Sequence, residues 1–126
     1  MSLQCTEAEW KIMEVLWESA PRTMAEITHA LAPSTGWTRH TVITLLKRMQ
    51  EKGSVAVDET GPVKTYRPMV NRADASQAQT KRFLNHVFSG KASLLVQNLV
   101  DTGEISLSEM EEILSIIRQG GETQRR

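Results

Sequence analysis

Cysteine, metal-ligand patterns and aromatic side chains are scarce in this chain of 126 residues. Cys5 is the single cysteine, so an intrachain disulfide is impossible and a thiolate metal site would need ligands from elsewhere. His29, His40 and His86 are scattered without the spacing of metal ligands, so we expect no metal site. Aromatic residues make up 5% of the chain, which does not support a surface that stacks on single-stranded nucleic acid.

Long apolar runs are also absent. No run reaches the roughly 18 apolar residues of a membrane-spanning helix, so we expect no membrane insertion. The N-terminal segment MSLQCTEAEW lacks the basic and apolar stretches of a secretory signal. We therefore expect a cytoplasmic protein.

The sequence motifs of common active sites are missing. The chain contains no GxGxxG or GxxxxGK[ST] phosphate loop, no HExxH metal helix and no GxSxG nucleophile elbow. Carboxylates are plentiful, but Glu109, Glu111 and Glu112 have the spacing of a solvated helix face. We therefore expect no enzymatic activity and no cofactor.

The composition is that of a globular protein, with 40% apolar and 24% charged residues. The formal net charge is zero, but the charges are unevenly distributed. Residues 7–18 hold four Glu and one Lys, whereas residues 64–72 hold three basic residues and no acid. Such a chain can present one basic face to a polyanion.

The stretch 38–53, TRHTVITLLKRMQEKG, has the pattern of an amphipathic helix. Apolar residues at i, i+3, i+4 and i+7 mark its buried side: Val42, Leu45, Leu46 and Met49. Its other side is basic and rich in hydroxyls, and Gly53 follows as a C-terminal cap. We interpret it as a recognition helix for a DNA major groove; a merely solvated basic face is the alternative.

Two shorter helical patterns precede this helix. Thr6 and Glu9 form a capping box that opens a helix reaching Glu18, whose inward residues are Trp10, Met13, Leu16 and Trp17. Thr23 and Glu26 repeat the capping box for a second helix, which we expect to end near Ala32 and Pro33. The Thr23 helix and the basic recognition helix, joined by a turn, make a helix-turn-helix.

Period-two patterns follow the recognition helix. Val55 and Val57 alternate with polar residues, residues 60–62 supply a turn, and residues 63–67 are again extended. The expected fold is therefore mainly α with a small β-hairpin wing: a winged helix-turn-helix domain over residues 1–70.

The remainder, 71–126, has the pattern of short helices with more apolar surface than so small a unit can bury. We expect a helical dimerisation domain; folding back onto the first half as a monomer is the alternative. The residues expected at the dimer interface are Leu84, Val87, Phe88, Leu95, Leu99, Leu107, Met110, Ile113, Leu114 and Ile117.

Several segments, in order and spacing, resemble the penicillinase-repressor family, which includes β-lactamase, methicillin-resistance and copper-responsive repressors. They are TEAEWKIMEVLW at 6–17, TVITLLKRMQEKGSV at 41–55, KTYRP at 64–68, TKRFLNHVFSG at 80–90 and LLVQNLV at 94–100. The resemblance implies a homodimeric winged-helix repressor that binds a two-fold symmetric, double-stranded DNA operator.

The resemblance also implies which residues contact the operator. Those on the recognition helix would be Thr38, Arg39, His40, Thr41, Ile43, Thr44, Lys47 and Arg48. Those on the wing, which would hold phosphates, are Lys64, Tyr66 and Arg67. A winged helix that docks on a protein partner, without reading DNA sequence, remains the alternative function.

In antibiotic-responsive members, a membrane-bound sensor protease triggers cleavage within the dimerisation segment, and the matching bond here is Asn98–Leu99.

Two departures from the family pattern stand out. Ile43 occupies a position that is usually basic, and it cannot bond a guanine edge but can touch a thymine methyl group. The paired C-terminal cysteines of copper-responsive relatives are missing, so copper sensing is not expected.

Overall fold

The computed structural model describes residues 5–124, and side chains are described for residues 5–120. Six helices and three short strands form in this part of the chain. In order they are α1 (Glu7–Glu18), β1 (Arg22–Thr23), α2 (Met24–Thr35), α3 (Arg39–Lys52), β2 (Val55–Asp58), β3 (Thr65–Pro68), α4 (Arg72–Phe88), α5 (Ala92–Asp101) and α6 (Leu107–Gln124). The expected mainly helical fold with a small β wing is confirmed.

Both predicted capping boxes open a helix. At α1 the backbone N–H of Glu9 donates to the Thr6 hydroxyl over 3.1 Å, and the Glu9 carboxylate accepts from the Thr6 backbone N–H. At α2 the same two bonds join Thr23 and Glu26. Each box satisfies backbone donors that a helix start would otherwise leave unpaired.

Helix α2 extends further than the sequence pattern predicted. We expected it to end near Ala32 and Pro33, but Pro33 lies inside the helix, which continues to Thr35. Pro33 lacks the backbone N–H that would bond the His29 carbonyl, but only two helical residues follow it, so little of the helix is disturbed. The Thr35 hydroxyl donates to the carbonyl of Leu31, and the backbone N–H of Gly36 closes the end on the Ala32 carbonyl.

The wing is part of a three-stranded antiparallel sheet with strand order β1-β3-β2. Strands β2 and β3 form the predicted hairpin, in which Val57 faces Tyr66. On its other side β3 pairs with β1, where Arg22 faces Tyr66. Sequence reasoning missed β1, because a two-residue strand is too short to leave a period-two pattern.

The chain forms two compact units, Met1–Thr80 and Lys81–Arg126. The first contains the buried apolar core, which helices α1 to α3 and the sheet share. Its residues are Ile12, Met13, Val15, Leu16, Ile27, Leu31, Val42, Leu45, Leu46, Met49, Val55 and Tyr66. Trp10 and Trp17, expected to face inward, are half-buried, with their rings edge-to-face at 5.1 Å.

The first unit continues to Thr80, ten residues beyond the expected boundary between residues 70 and 71. Contacts of α4 with α1, and with Cys5 just before α1, account for this difference. The Arg72 guanidinium lies 3.6 Å from the Glu14 carboxylate and stacks over the Trp17 ring, 5.5 Å from its centroid. The Gln79 amide donates to the carbonyl of Cys5. These bonds hold the first turns of α4 within the first unit.

The second unit holds the end of α4 together with α5 and α6, and it leaves many large apolar side chains exposed. Exposed fractions range from 39% for Ile113 to 75% for Leu107.

Within the described residues, no helix combines the length and the apolar character needed to cross a membrane.

Candidate nucleic-acid interface

Helix α3 separates its apolar and polar residues as the sequence predicted. Val42, Leu45, Leu46 and Met49 are buried in the core of the first unit. The opposite face is accessible: Thr41 is half-buried, and the exposed members of the predicted recognition set are Thr38, Arg39, His40, Ile43, Thr44, Lys47 and Arg48. Packing through one face thus fixes which side chains α3 presents outward.

Hydrogen bonds within the helix occupy part of the hydroxyl chemistry on this face. Thr38 caps α3 by accepting from the backbone N–H of Thr41, and the two threonine hydroxyls lie 3.4 Å apart. The Thr44 hydroxyl donates to the carbonyl of His40 over 3.0 Å. With its proton used in this way, the Thr44 hydroxyl can still accept a hydrogen bond but does not offer a donor.

A buried carboxylate ties the C-terminal half of α3 to α1. Glu9 is 1% exposed, and its Oε1 accepts from Lys52 Nζ over 2.7 Å. Its Oε2 lies 3.8 Å from Arg48 Nη1 and accepts no hydrogen bond from the part of the chain that the structure describes. Sequence reasoning identified Glu9 only as a capping residue, since nothing in the local pattern pointed to partners some 40 positions later.

The wing exposes two of its three predicted contact residues. Lys64 and Arg67 are exposed, but Tyr66 is only 7% exposed and belongs to the core. Our expectation that Tyr66 holds a phosphate is therefore corrected. The reason is strand alternation, because successive side chains on β3 point to opposite faces, so that Arg67 is outward when Tyr66 is inward.

The turn at the tip of the wing is held by Asp58. Hydrogen bonds from the Thr60 hydroxyl and the Thr60 backbone N–H lower the pKa of Asp58, and the nearby charge of Arg67 lowers it further. An ionised Asp58 is thus built into the wing at neutral pH. It fixes the loop that leads to Lys64.

Helix α3 and the wing meet at one open groove of about 370 Å³. It is lined by Lys47, Gln50 and Glu51 from α3 and by Lys64 from the wing. The groove thus brings together one predicted residue from the recognition helix and one from the wing. Two ammonium groups on separate elements, against the single carboxylate of Glu51, leave the groove with a net positive charge that suits an anionic backbone passing between the two lysines.

The predicted interface residues of the second unit are spread over α4, α5 and α6. Five of them are exposed: Val87, Leu107, Ile113, Leu114 and Ile117. The other five are half-buried: Leu84, Phe88, Leu95, Leu99 and Met110. The ring of Phe88 contacts that of Phe83 edge-to-face at 5.9 Å.

The predicted cleavage bond, Asn98–Leu99, lies inside α5. The carbonyl of Asn98 accepts from both the backbone N–H and the hydroxyl of Thr102, each over 3.0 Å. The bond is therefore in regular, hydrogen-bonded helix, and a protease that needs an extended substrate would have to unwind it first.

Known proteins resemble this chain over most of its length. The penicillinase repressor of Bacillus licheniformis is 26% identical over 116 residues, which are 92% of this chain and 91% of that protein. The methicillin resistance regulatory protein MecI of Staphylococcus aureus is also 26% identical over 116 residues, covering 92% of this chain and 94% of MecI.

Two solved structures of the repressor BlaI resemble part of this chain. One is the solution structure of its DNA-binding domain, and the other is the Bacillus licheniformis BlaI monomeric form in complex with the blaP half-operator. Each matches with a TM-score of 0.51 and 28% identity, over 56% of this chain and 87% of the solved chain. A family model described as penicillinase repressor matches residues 5–119. The chain therefore belongs to the penicillinase repressor family.

Proposed function

We propose that this protein is a transcriptional repressor that binds double-stranded operator DNA with α3 in the major groove and the wing on the phosphate backbone. The observation that carries the proposal is the shared groove of Lys47 and Lys64, which joins the exposed face of α3 to the wing. The BlaI monomer solved with a half-operator supports it, since that relative has the same type of domain. Arg39 and Arg67, both exposed, add further positive charge on α3 and β3.

The acting species in this proposal is a homodimer on a two-fold symmetric operator. The second unit leaves apolar side chains of all three of its helices exposed, among them Val87, Val100 and Ile117. Such a surface is unfavourable in water and suits association with a second copy. Two linked DNA-binding units bind two half-sites far more tightly than one unit binds one.

Release from the operator is proposed to follow cleavage at Asn98–Leu99, downstream of a membrane-bound sensor protease. The cut would separate α6 from the rest of the chain and so remove much of the apolar surface available for dimerisation. Because the bond lies inside α5, local unwinding of that helix would precede cleavage.

Selection of bound sequences from a random duplex pool tests this proposal. With the purified full chain, we expect enrichment of a sequence whose footprint has dyad symmetry, with half-sites about one helical turn apart. No enrichment, together with binding that does not change with salt, would contradict the proposal and favour a winged helix that docks on a protein.

A salt titration on the selected operator tests the groove itself. The slope of log K against log[salt] is negative, and each lost phosphate contact makes it less steep by about 0.9. Lys47→Ala combined with Lys64→Ala should therefore reduce its magnitude by nearly 2 per protomer. Lys11→Ala, an exposed lysine of α1 outside the groove, serves as the matched control and should leave the slope unchanged. Equal slopes for the double variant and the control would exclude the groove from phosphate binding.

A further inference from the structure

Ile43 is an apolar side chain in the middle of the outward face of α3. It is 40% exposed, whereas the other large apolar side chains of this helix are buried. Residues four apart share a helix face, so Ile43 lies in one stripe with Arg39 and Lys47, which are both exposed. A branched apolar group thus lies between two cations on the surface proposed to enter the major groove of DNA.

The polar neighbours of Ile43 are partly engaged in the helix's own hydrogen bonds. The Thr44 hydroxyl donates to the carbonyl of His40, and the Thr38 hydroxyl caps the helix. Arg48 lies beside the buried carboxylate of Glu9. Consequently the centre of this face offers apolar contact, with the charged groups of Arg39 and Lys47 one turn to either side.

The major groove presents one apolar group, the C5-methyl of thymine, while the other base edges carry hydrogen-bond donors and acceptors. Isoleucine can neither donate nor accept a hydrogen bond, and a contact with a polar base edge would leave that edge unpaired. The flanking cations suit phosphates or guanine edges and would hold α3 in register.

We infer that Ile43 is a specificity-determining residue that reads a thymine by contact with its C5-methyl group. This inference rests on the proposed operator binding and adds which kind of base the centre of α3 selects. Each half-site should then carry one thymine whose methyl group, rather than its hydrogen-bonding edge, contributes to affinity.

Replacement of thymine by deoxyuridine tests the inference, since it removes the methyl group and leaves base pairing intact. Each thymine of the selected operator is replaced in turn, and affinity is measured for the full-length chain. Burying one methyl group corresponds to roughly a fourfold change in affinity. We expect a loss of about that size at one position per half-site in the wild type, and a clearly smaller loss at that position in Ile43→Ala, because alanine keeps only its own methyl group for the contact.

Two variants serve as controls. Ile43→Val keeps a branched apolar group and should retain most of the sensitivity to the methyl group. Val63→Ala removes an exposed apolar side chain from the wing turn, and it should leave the uracil effect unchanged even if overall affinity falls. Thermal melting of Ile43→Ala checks folding, which we expect to be intact because Ile43 is outside the core and alanine favours helix.

The outcomes separate this inference from the proposed function. A dyad-symmetric footprint that tolerates uracil at every thymine, or an equal uracil effect in wild type and Ile43→Ala, would overturn the inference while leaving operator binding in place. Failure to enrich any sequence would overturn the operator proposal and this inference with it.

Discussion

At the scale of single residues, the least expected feature is the buried carboxylate of Glu9. One carboxylate, 1% exposed, faces the ammonium of Lys52 at 2.7 Å and the guanidinium of Arg48 at 3.8 Å. A buried charge is tolerated when a partner compensates it, and it is costly when the partner is removed. Glu9 therefore makes the position of α3 against α1 depend on an ion pair as well as on apolar packing.

Lys52→Met should destabilise the protein by about 3 kcal/mol, because it keeps an apolar stem of similar length and leaves the Glu9 carboxylate buried without its closest counter-charge. Lys11→Met, on the exposed side of α1, should change stability by less than about 0.5 kcal/mol. Urea denaturation of both variants measures the difference. Equal urea midpoints for the two variants would mean that the Glu9–Lys52 pair does not stabilise the folded protein.

At the scale of elements, local signals and long-range pairing account for different parts of the fold. Both capping boxes, the buried face of α3 and the β2–β3 hairpin could be predicted, because each depends on residues close in sequence. Strand β1 could not, since it forms only by pairing with β3, some 40 residues later.

The same distinction applies to the candidate interface. The outward residues of α3 follow from its 3.6-residue period, whereas the Glu9–Lys52 pair spans 43 positions and left no local pattern. Tyr66 was misassigned for a different reason. Its alternation with Arg67 was visible in the sequence, but which of the two residues faced inward was fixed by packing against the helices.

The transition from α3 to the wing depends on a left-handed residue, Gly53, with φ of +89°. A Cβ there would meet no atom within 4 Å, so the cost of a side chain is conformational rather than steric. Gly53→Ala should destabilise the protein by about 1 kcal/mol.

Gly61 in the wing turn is the matched control for this substitution, because its φ lies outside the left-handed region and a Cβ would have an ordinary contact at 3.9 Å. Gly61→Ala should be neutral or slightly stabilising, since alanine reduces the freedom of the unfolded chain. Thermal melting compares the two variants. A larger loss for Gly61→Ala than for Gly53→Ala would contradict this assignment.

At the scale of the whole molecule, the two units differ in how they treat apolar side chains. The first closes a core in which Ile12, Ile27, Val42 and Met49 are fully buried. The second leaves the apolar residues of α6 largely accessible, including Ile113, Leu114 and Ile117. This contrast is the physical basis for proposing that the second unit associates with another copy while the first binds DNA.

Leu114→Asp tests that proposal, because a carboxylate buried without a counter-charge opposes association by about 3 kcal/mol, which corresponds to a more than 100-fold weaker dimer. Ser115→Asp places the same charge on a polar, exposed position of the same helix and should leave association unchanged. Analytical ultracentrifugation over a concentration series measures both.

DNA affinity gives the second readout for the same pair of variants. Leu114→Asp should bind an isolated half-site as the wild type does, since α3 and the wing are untouched, but it should lose the additional affinity for the full two-fold operator that linkage of two half-sites provides. Ser115→Asp should keep that gain. A wild type that is monomeric at micromolar concentration, or a Leu114→Asp variant with unchanged preference for the full operator, would mean that operator recognition does not depend on the apolar surface of α6.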